Sequence, residues 1–252
     1  KTSTLGEKIQ KGLSTAAKVG MAAVTAAAAG VTALTKASLD GYANYEQLVG
    51  GVETLFKNSQ DIVLKYADNA YKTAGLSANQ YMETVTSFSA SLLQSLDGNT
   101  AAAAEKANVA ITDMADNANK MGTSMESIQN AYQGFAKQNY TMLDNLKLGY
   151  GGTKEEMQRL LDDANALNAA QGNYTNYTIE SYADIVDAIH TVQTEMGITG
   201  TTAKEAATTI QGSVASAKSA WANLVTGIAD ENADLSGLIG TFVESVATAA
   251  SN

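Results

Sequence analysis

Proline and cysteine are both absent from this 252-residue chain. Without proline, nothing fixes φ or removes a backbone donor inside a helix, so long helical runs go unbroken. Without cysteine there is no disulfide framework and no thiolate metal site. Histidine occurs once, as His190, which excludes His-Glu-x-x-His and every other two-histidine metal spacing. Arginine also occurs once, as Arg159, and 16 Lys+Arg face 26 Asp+Glu for a formal charge of −10. Duplexes are held by clustered cations that neutralise phosphates. The chain has no such cluster, so specific nucleic-acid binding is not expected. Aromatic residues make up 6% of the sequence, and its apolar residues are largely alanine. That balance favours closely packed helices over a sheet sandwich.

Hydrophobic residues make up 45% of the chain and charged residues 17%, enough to bury a core. Apolar residues recur at three- and four-residue spacing almost throughout, the signature of amphipathic helices. Tyr81, Val85, Phe88, Leu92 and Leu96 form one such stripe. Others follow at Ala107–Met121, Met125–Phe135, Met157–Leu167, Tyr182–Met196, Ile210–Leu224 and Leu235–Val246. Ser77-x-x-Gln80, Thr123-x-x-Glu126, Thr153-x-x-Glu156 and Thr202-x-x-Glu205 have the form of capping boxes. Gly98, Gly122, Gly172 and Gly197 stand where helices end in a left-handed residue. Breaks thus fall every ~20–25 residues, too often for a rod, and the fold predicted is an all-α multi-helix bundle preceded by an Ala-rich helix. Residues 1–40 form the Ala/Gly-rich part, 41–235 the bundle, and 236–252 an amphipathic C-terminal helix opening a following segment. Lys1 stands where a Met would begin a complete chain, which suggests a piece of a longer protein.

The Ala-rich run from Val19 to Leu34 is uncharged and bounded by Lys18 and Lys36. A membrane span needs about 20 mostly apolar residues, and this run is shorter and small-sided. Small side chains let helices approach closely, so Val19, Val24, Ala27, Ala28, Val31 and Leu34 are candidates for self-association or membrane contact.

Chemistry-bearing patterns are scarce. His190 has Asp187 and Glu195 within two turns but no recognisable nucleophile, and it reads as a boundary residue of an amphipathic helix. Asp162-Asp163, Asp184 with Asp187, and Asp113 with Asp116 read as solvated helix faces rather than a glycosidase pair. Gly149-Tyr-Gly-Gly-Thr-Lys154 lacks the Gly-Lys-Ser/Thr of a phosphate loop, and no strand precedes it. It reads as a turn ahead of a helix, and Tyr140, Leu146, Tyr150, Gly151 and Gly152 as a candidate partner-contact loop. Trp221, the sole tryptophan, reads as a core anchor. No catalytic residue, metal or cofactor is expected.

The stretch from Asn117 to Ala164 carries Gly122-Thr-Ser-Met-Glu-Ser-Ile-Gln129 and Gly149-Tyr-Gly-Gly-Thr-Lys154. Together with Gly197–Val214 and Trp221-Ala-Asn-Leu224, it resembles the core region of phage tail tape measure proteins, over about residues 40–235. The resemblance implies a structural protein in the lumen of a tail tube, made in the bacterial cytoplasm and carried in the virion. Such a protein helps set tail length and assembly and leaves ahead of the DNA on ejection. Its implied partners are the tail tube protein, distal tail and tip proteins, further copies of itself and, on ejection, a host membrane. Residues alone leave two other classes open: an exported membrane-permeabilising helical protein, and a cytoplasmic or flagellin-like helical scaffold.

Overall fold

The computed structural model describes residues 28–252, which contain ten α-helices, two 3-10 turns and no strand. The helices are α1 (Ala28–Phe56), α2 (Gln60–Thr73), α3 (Ala78–Ser95), α4 (Thr100–Met121) and α5 (Met125–Phe135). They continue with α6 (Lys154–Ala170), α7 (Tyr182–Glu195), α8 (Thr201–Thr208), α9 (Ile210–Ala229) and α10 (Leu235–Ser251). The all-α bundle is therefore what the chain forms. Position 40, expected as a boundary, lies inside α1, which continues unbroken to Phe56.

Helix α4 is the hub. It packs on α1, α2, α3, α5, α7 and α8. Ala103, Ala104, Ala107 and Ala110 are fully buried along it, beside Ile111 and Met114. Alanine keeps the helix surface slim, so neighbours close in on more than one side. One hydrophobic core extends from Val52 on α1 to Ile198 after α7, with Tyr81, Met82, Tyr132 and Phe135 among its largest fully buried side chains. Each such residue stabilises the fold by about 1.5–3 kcal/mol relative to exposure.

Helix α9 lies outside that core and forms an antiparallel pair with α10, Trp221 meeting Phe242 and Gly227 meeting Leu238. It also packs along α1, where a Cβ on Gly41 would meet Thr226 Oγ1 at 2.9 Å. The α9 face turned inward is Ser213, Ser216, Ala220, Leu224 and Gly227. The predicted stripe divides, with Leu224 on this buried face and Ile210 62%, Val214 38% and Trp221 40% exposed. Trp221 is thus not a core anchor. Close approach to α1 and α10 selects a face of mostly small residues, with Leu224 and Ile228 its only large members, and leaves Ile210, Val214 and Trp221 outside.

The capping signals divide. Ser77 and Gln80 form a complete capping box at α3, with Gln80 N donating to Ser77 Oγ and Ser77 N to Gln80 Oε1. Thr153 caps α6 by accepting from Glu156 N at 3.2 Å, but the Glu156 carboxylate turns to Gly151 N and Arg159 instead. At α5 the cap is Ser124, one residue later than expected, while Thr123 Oγ1 donates to the Asn145 carbonyl. Thr202 lies within α8, whose first N–H groups are met by a side chain from another helix. Gly98, Gly122, Gly172 and Gly197 all take the left-handed backbone expected of them.

Candidate functional site

The expected contact loop divides into core and surface. Tyr140 is buried, tilts its ring over Phe135 at 6.3 Å and donates from its hydroxyl to the Ile179 carbonyl. Leu146 is fully buried at the end of the 3-10 turn Leu143–Leu146, and its carbonyl accepts from Asn117 Nδ2 at 3.0 Å. Neither is within reach of a partner, because both fasten the loop to α4 and α5. The reachable part is Tyr150, Gly151 and Gly152, which are half-buried. Tyr150 lies under the Arg159 guanidinium, 4.3 Å from ring centroid to cation, and donates to Asp163 Oδ2 at 2.8 Å. Burial and the hydrogen bond to Asp163 push the Tyr150 phenol up to about 12. Glu156 is held down at about 2, first by Arg159 and then by the Gly151 N–H. A Cβ on Gly152 would overlap the Thr141 carbonyl, so the loop's two limbs touch backbone to backbone there. Arg159 is therefore tied into a local network of Glu156, Tyr150, Asp163 and the Gly149 carbonyl.

Asp113 and Asp116, expected on a solvated face, are instead buried. Asp113 is 1% exposed and Asp116 0%, on the side of α4 that meets α7 and α8. Asp113 accepts from His190 Nδ1 with both oxygens, at 3.0 and 2.9 Å. Asp116 accepts from Gly200 N at 2.6 Å and Thr202 N at 2.7 Å, so it caps α8 from across the interface. Asn117, also buried, donates to Gln193 Oε1 of α7 and to the Leu146 carbonyl. This polar row joins α4 to α7, to α8 and to the loop. Asp162, Asp163, Asp184 and Asp187 are at least partly exposed, as expected of a helix surface.

His190 remains a boundary residue, its side chain 40% exposed, but its partner lies 77 positions away rather than on its own helix. Asp187 on that helix is engaged by Lys106. Burial raises the Asp113 carboxyl to about 6 against the lowering effect of His190, and the hydrogen bond to Asp113 raises His190 in turn. A His–Asp pair of this geometry can orient an imidazole as a base. Among the described residues His190 makes no other side-chain hydrogen bond, and no nucleophile hydroxyl is set against it. None of the three main grooves is lined by either member. No three His, Cys, Asp or Glu among the described residues are grouped to hold a metal ion.

A groove of about 420 Å³ lies among α1, α2, α3, α9 and α10. Its lining includes Tyr45, Asp68, Asn79, Asn223, Asp230 and Asp234 and no basic side chain. Of the Ala-rich run, Val19, Val24 and Ala27 lie outside the described residues, Ala28 and Val31 fall in the first turns of α1, and Leu34 is half-buried. No helix among the described residues is long and apolar enough to cross a membrane. Comparison with family models, curated proteins and solved structures finds no match for this chain.

Proposed function

We propose that this chain is a folded segment of a phage tail tape measure protein, with a structural rather than catalytic role. The reading rests on the likeness of residues 117–164, 197–214 and 221–224 to that family's core region. One structural observation supports it: the longest of those stretches is also core-forming. Ile128, Tyr132, Phe135, Leu143, Leu146, Met157 and Leu160 all come from it and are buried together. The likeness therefore falls on residues that a fold must keep.

A ruler has to be extended, and this chain folds back on itself. The longest helix among the described residues has 29 residues, about 44 Å at 1.5 Å per residue. The segment thus acts as a compact station on the tape measure chain, with the shaft outside it. On this reading it sits in the tail lumen, against tube and distal tail proteins and other copies of the chain, and leaves ahead of the DNA.

The test is to delete residues 28–252 in the phage that encodes the chain and to image its tails. Tails that fail to assemble, or assemble at unchanged length without infecting, support a folded station. Shortening by about 1.5 Å per deleted residue would place the ruler within these residues and overturn that reading. Mass spectrometry of purified tails that finds no trace of the chain would overturn the assignment altogether.

A further inference from the structure

Three carboxylates and two cations meet where α4 packs on α7. Asp113 enters the contact from α4 with both oxygens on His190 Nδ1. Two turns earlier on α4, Lys106 pairs with Asp187, which lies one turn before His190 on α7. Asp116 is buried one turn after Asp113, and Tyr132 of α5 is buried within electrostatic reach of Asp113. Asp116, Asp187 and Lys106 are the charged groups that bear on the pair, and no charged side chain of α3, α6 or α8 does so.

We propose that Asp113 and His190 form a proton-controlled latch between α4 and α7, closed in mild acid and loosened as the pH rises through neutrality. Below about pH 6 burial keeps Asp113 protonated beside the imidazolium; above that value the carboxylate forms and, while the imidazole stays charged, has a cationic partner and a charge-assisted hydrogen bond. Deprotonation leaves that carboxylate buried against a neutral donor, with Asp116 and Asp187 nearby and only Lys106 in opposition. An uncompensated buried charge is strongly unfavourable. The half-exposed edge of His190 lets the proton exchange with solvent without unfolding. Helix α7 leads through the turn at Gly197–Gly200 into α8, whose cap is Asp116, so release of α7 also loosens α8.

The sign follows from both partners. Each holds its proton more tightly in the fold than in the unfolded chain. The Asp113 contribution is full below about pH 4 and is lost as the pH rises through about 6. The His190 contribution is full below about 6.5 and is lost as the pH rises through its higher folded value. Stability therefore falls as the pH climbs through neutrality.

His190 is the only histidine, so its ring Cε1–H gives one NMR signal to titrate in the intact chain. The expected midpoint lies above 6.5. Protection of α7 amides against exchange, corrected for intrinsic rate, should fall by up to about tenfold per unit of that difference. Asp113→Asn should bring the midpoint down and flatten the profile, and His190→Gln should flatten it as well. A purely structural role would lower protection equally at every pH. A wild-type midpoint at or below 6.5 overturns the proposal, and so does an unchanged slope in His190→Gln. If both variants fail to fold, the wild-type titration and exchange profile decide it alone.

Discussion

Replacing Asp116 by alanine tests whether one buried carboxylate caps a helix to which it does not belong. The α8 N-cap is Gly200, which has no side chain to offer, and its own N–H and that of Thr202 both point at Asp116. An ordinary N-cap loss costs about 0.5–2 kcal/mol, and hydrogen bonds to a charged group contribute about 1.5–3 kcal/mol each. Two such bonds are lost in Asp116→Ala, but the residues donating them are not fully buried, so water recovers part of the loss. Relief of repulsion with Asp113 recovers a little more. The net expectation is a destabilisation of about 2–4 kcal/mol by urea unfolding. At about 2–4 °C per kcal/mol for a chain of this size, the melting temperature should drop by roughly 5–15 °C. Exchange at α8 amides should rise more than at α3, because α8 has only eight residues and no buried side chain of its own. Glu205→Ala is the control, since its carboxylate accepts one exposed hydrogen bond, from Asn119, and it should change stability by less than about 1 kcal/mol. An Asp116→Ala variant as stable as the control would refute the cross-helix cap.

Two further substitutions separate core from surface. Trp221→Ala should cost about 1–2 kcal/mol, below the ~3–5 kcal/mol of a packed core tryptophan, because the residue is 40% exposed and rests mainly on Phe242; a loss above about 3 kcal/mol, or a fully blue-shifted emission, would contradict the outward face of α9. Leu146→Ala, fully buried in the loop, should cost about 2–5 kcal/mol in chemical denaturation, whereas Tyr150→Ala at the loop's reachable edge should cost less; the reverse order would mean the loop does not pack as described.

The sequence-level reading succeeded where burial and large side chains coincide. The stripes of α3, α5, α6 and α7 are the buried faces of those helices, Tyr81 through Leu92 being the clearest case. It failed on part of α9 and on the polar face of α4, although the α4 stripe of Ala107, Ile111 and Met114 is buried as expected. Periodicity shows that a helix has two faces, but it assumes that the larger apolar face turns inward. On α9 the neighbours approach closely, as Gly41 against Thr226 and Gly227 against Leu238 show, and a mostly serine–alanine–glycine face, completed by Leu224 and Ile228, is taken while Ile210, Val214 and Trp221 stay outside. On α4 the alanines at 103, 104, 107 and 110 leave room for helices on more than one side, so the polar face at Asp113, Asp116 and Asn117 is covered as well. Once covered, those groups need partners, and the fold supplies His190, the α8 N–H groups and Gln193 from 76 or more positions away. No local spacing encodes such pairs. A signal was nevertheless present: from Ala107 to Lys120 the helix has no lysine, arginine or glutamate before its last residue, too few long charged side chains for a solvated face. In a chain this rich in small residues, the polar groups with no long charged neighbours mark where helices meet, and large apolar groups mark a core only where the opposite face is charged.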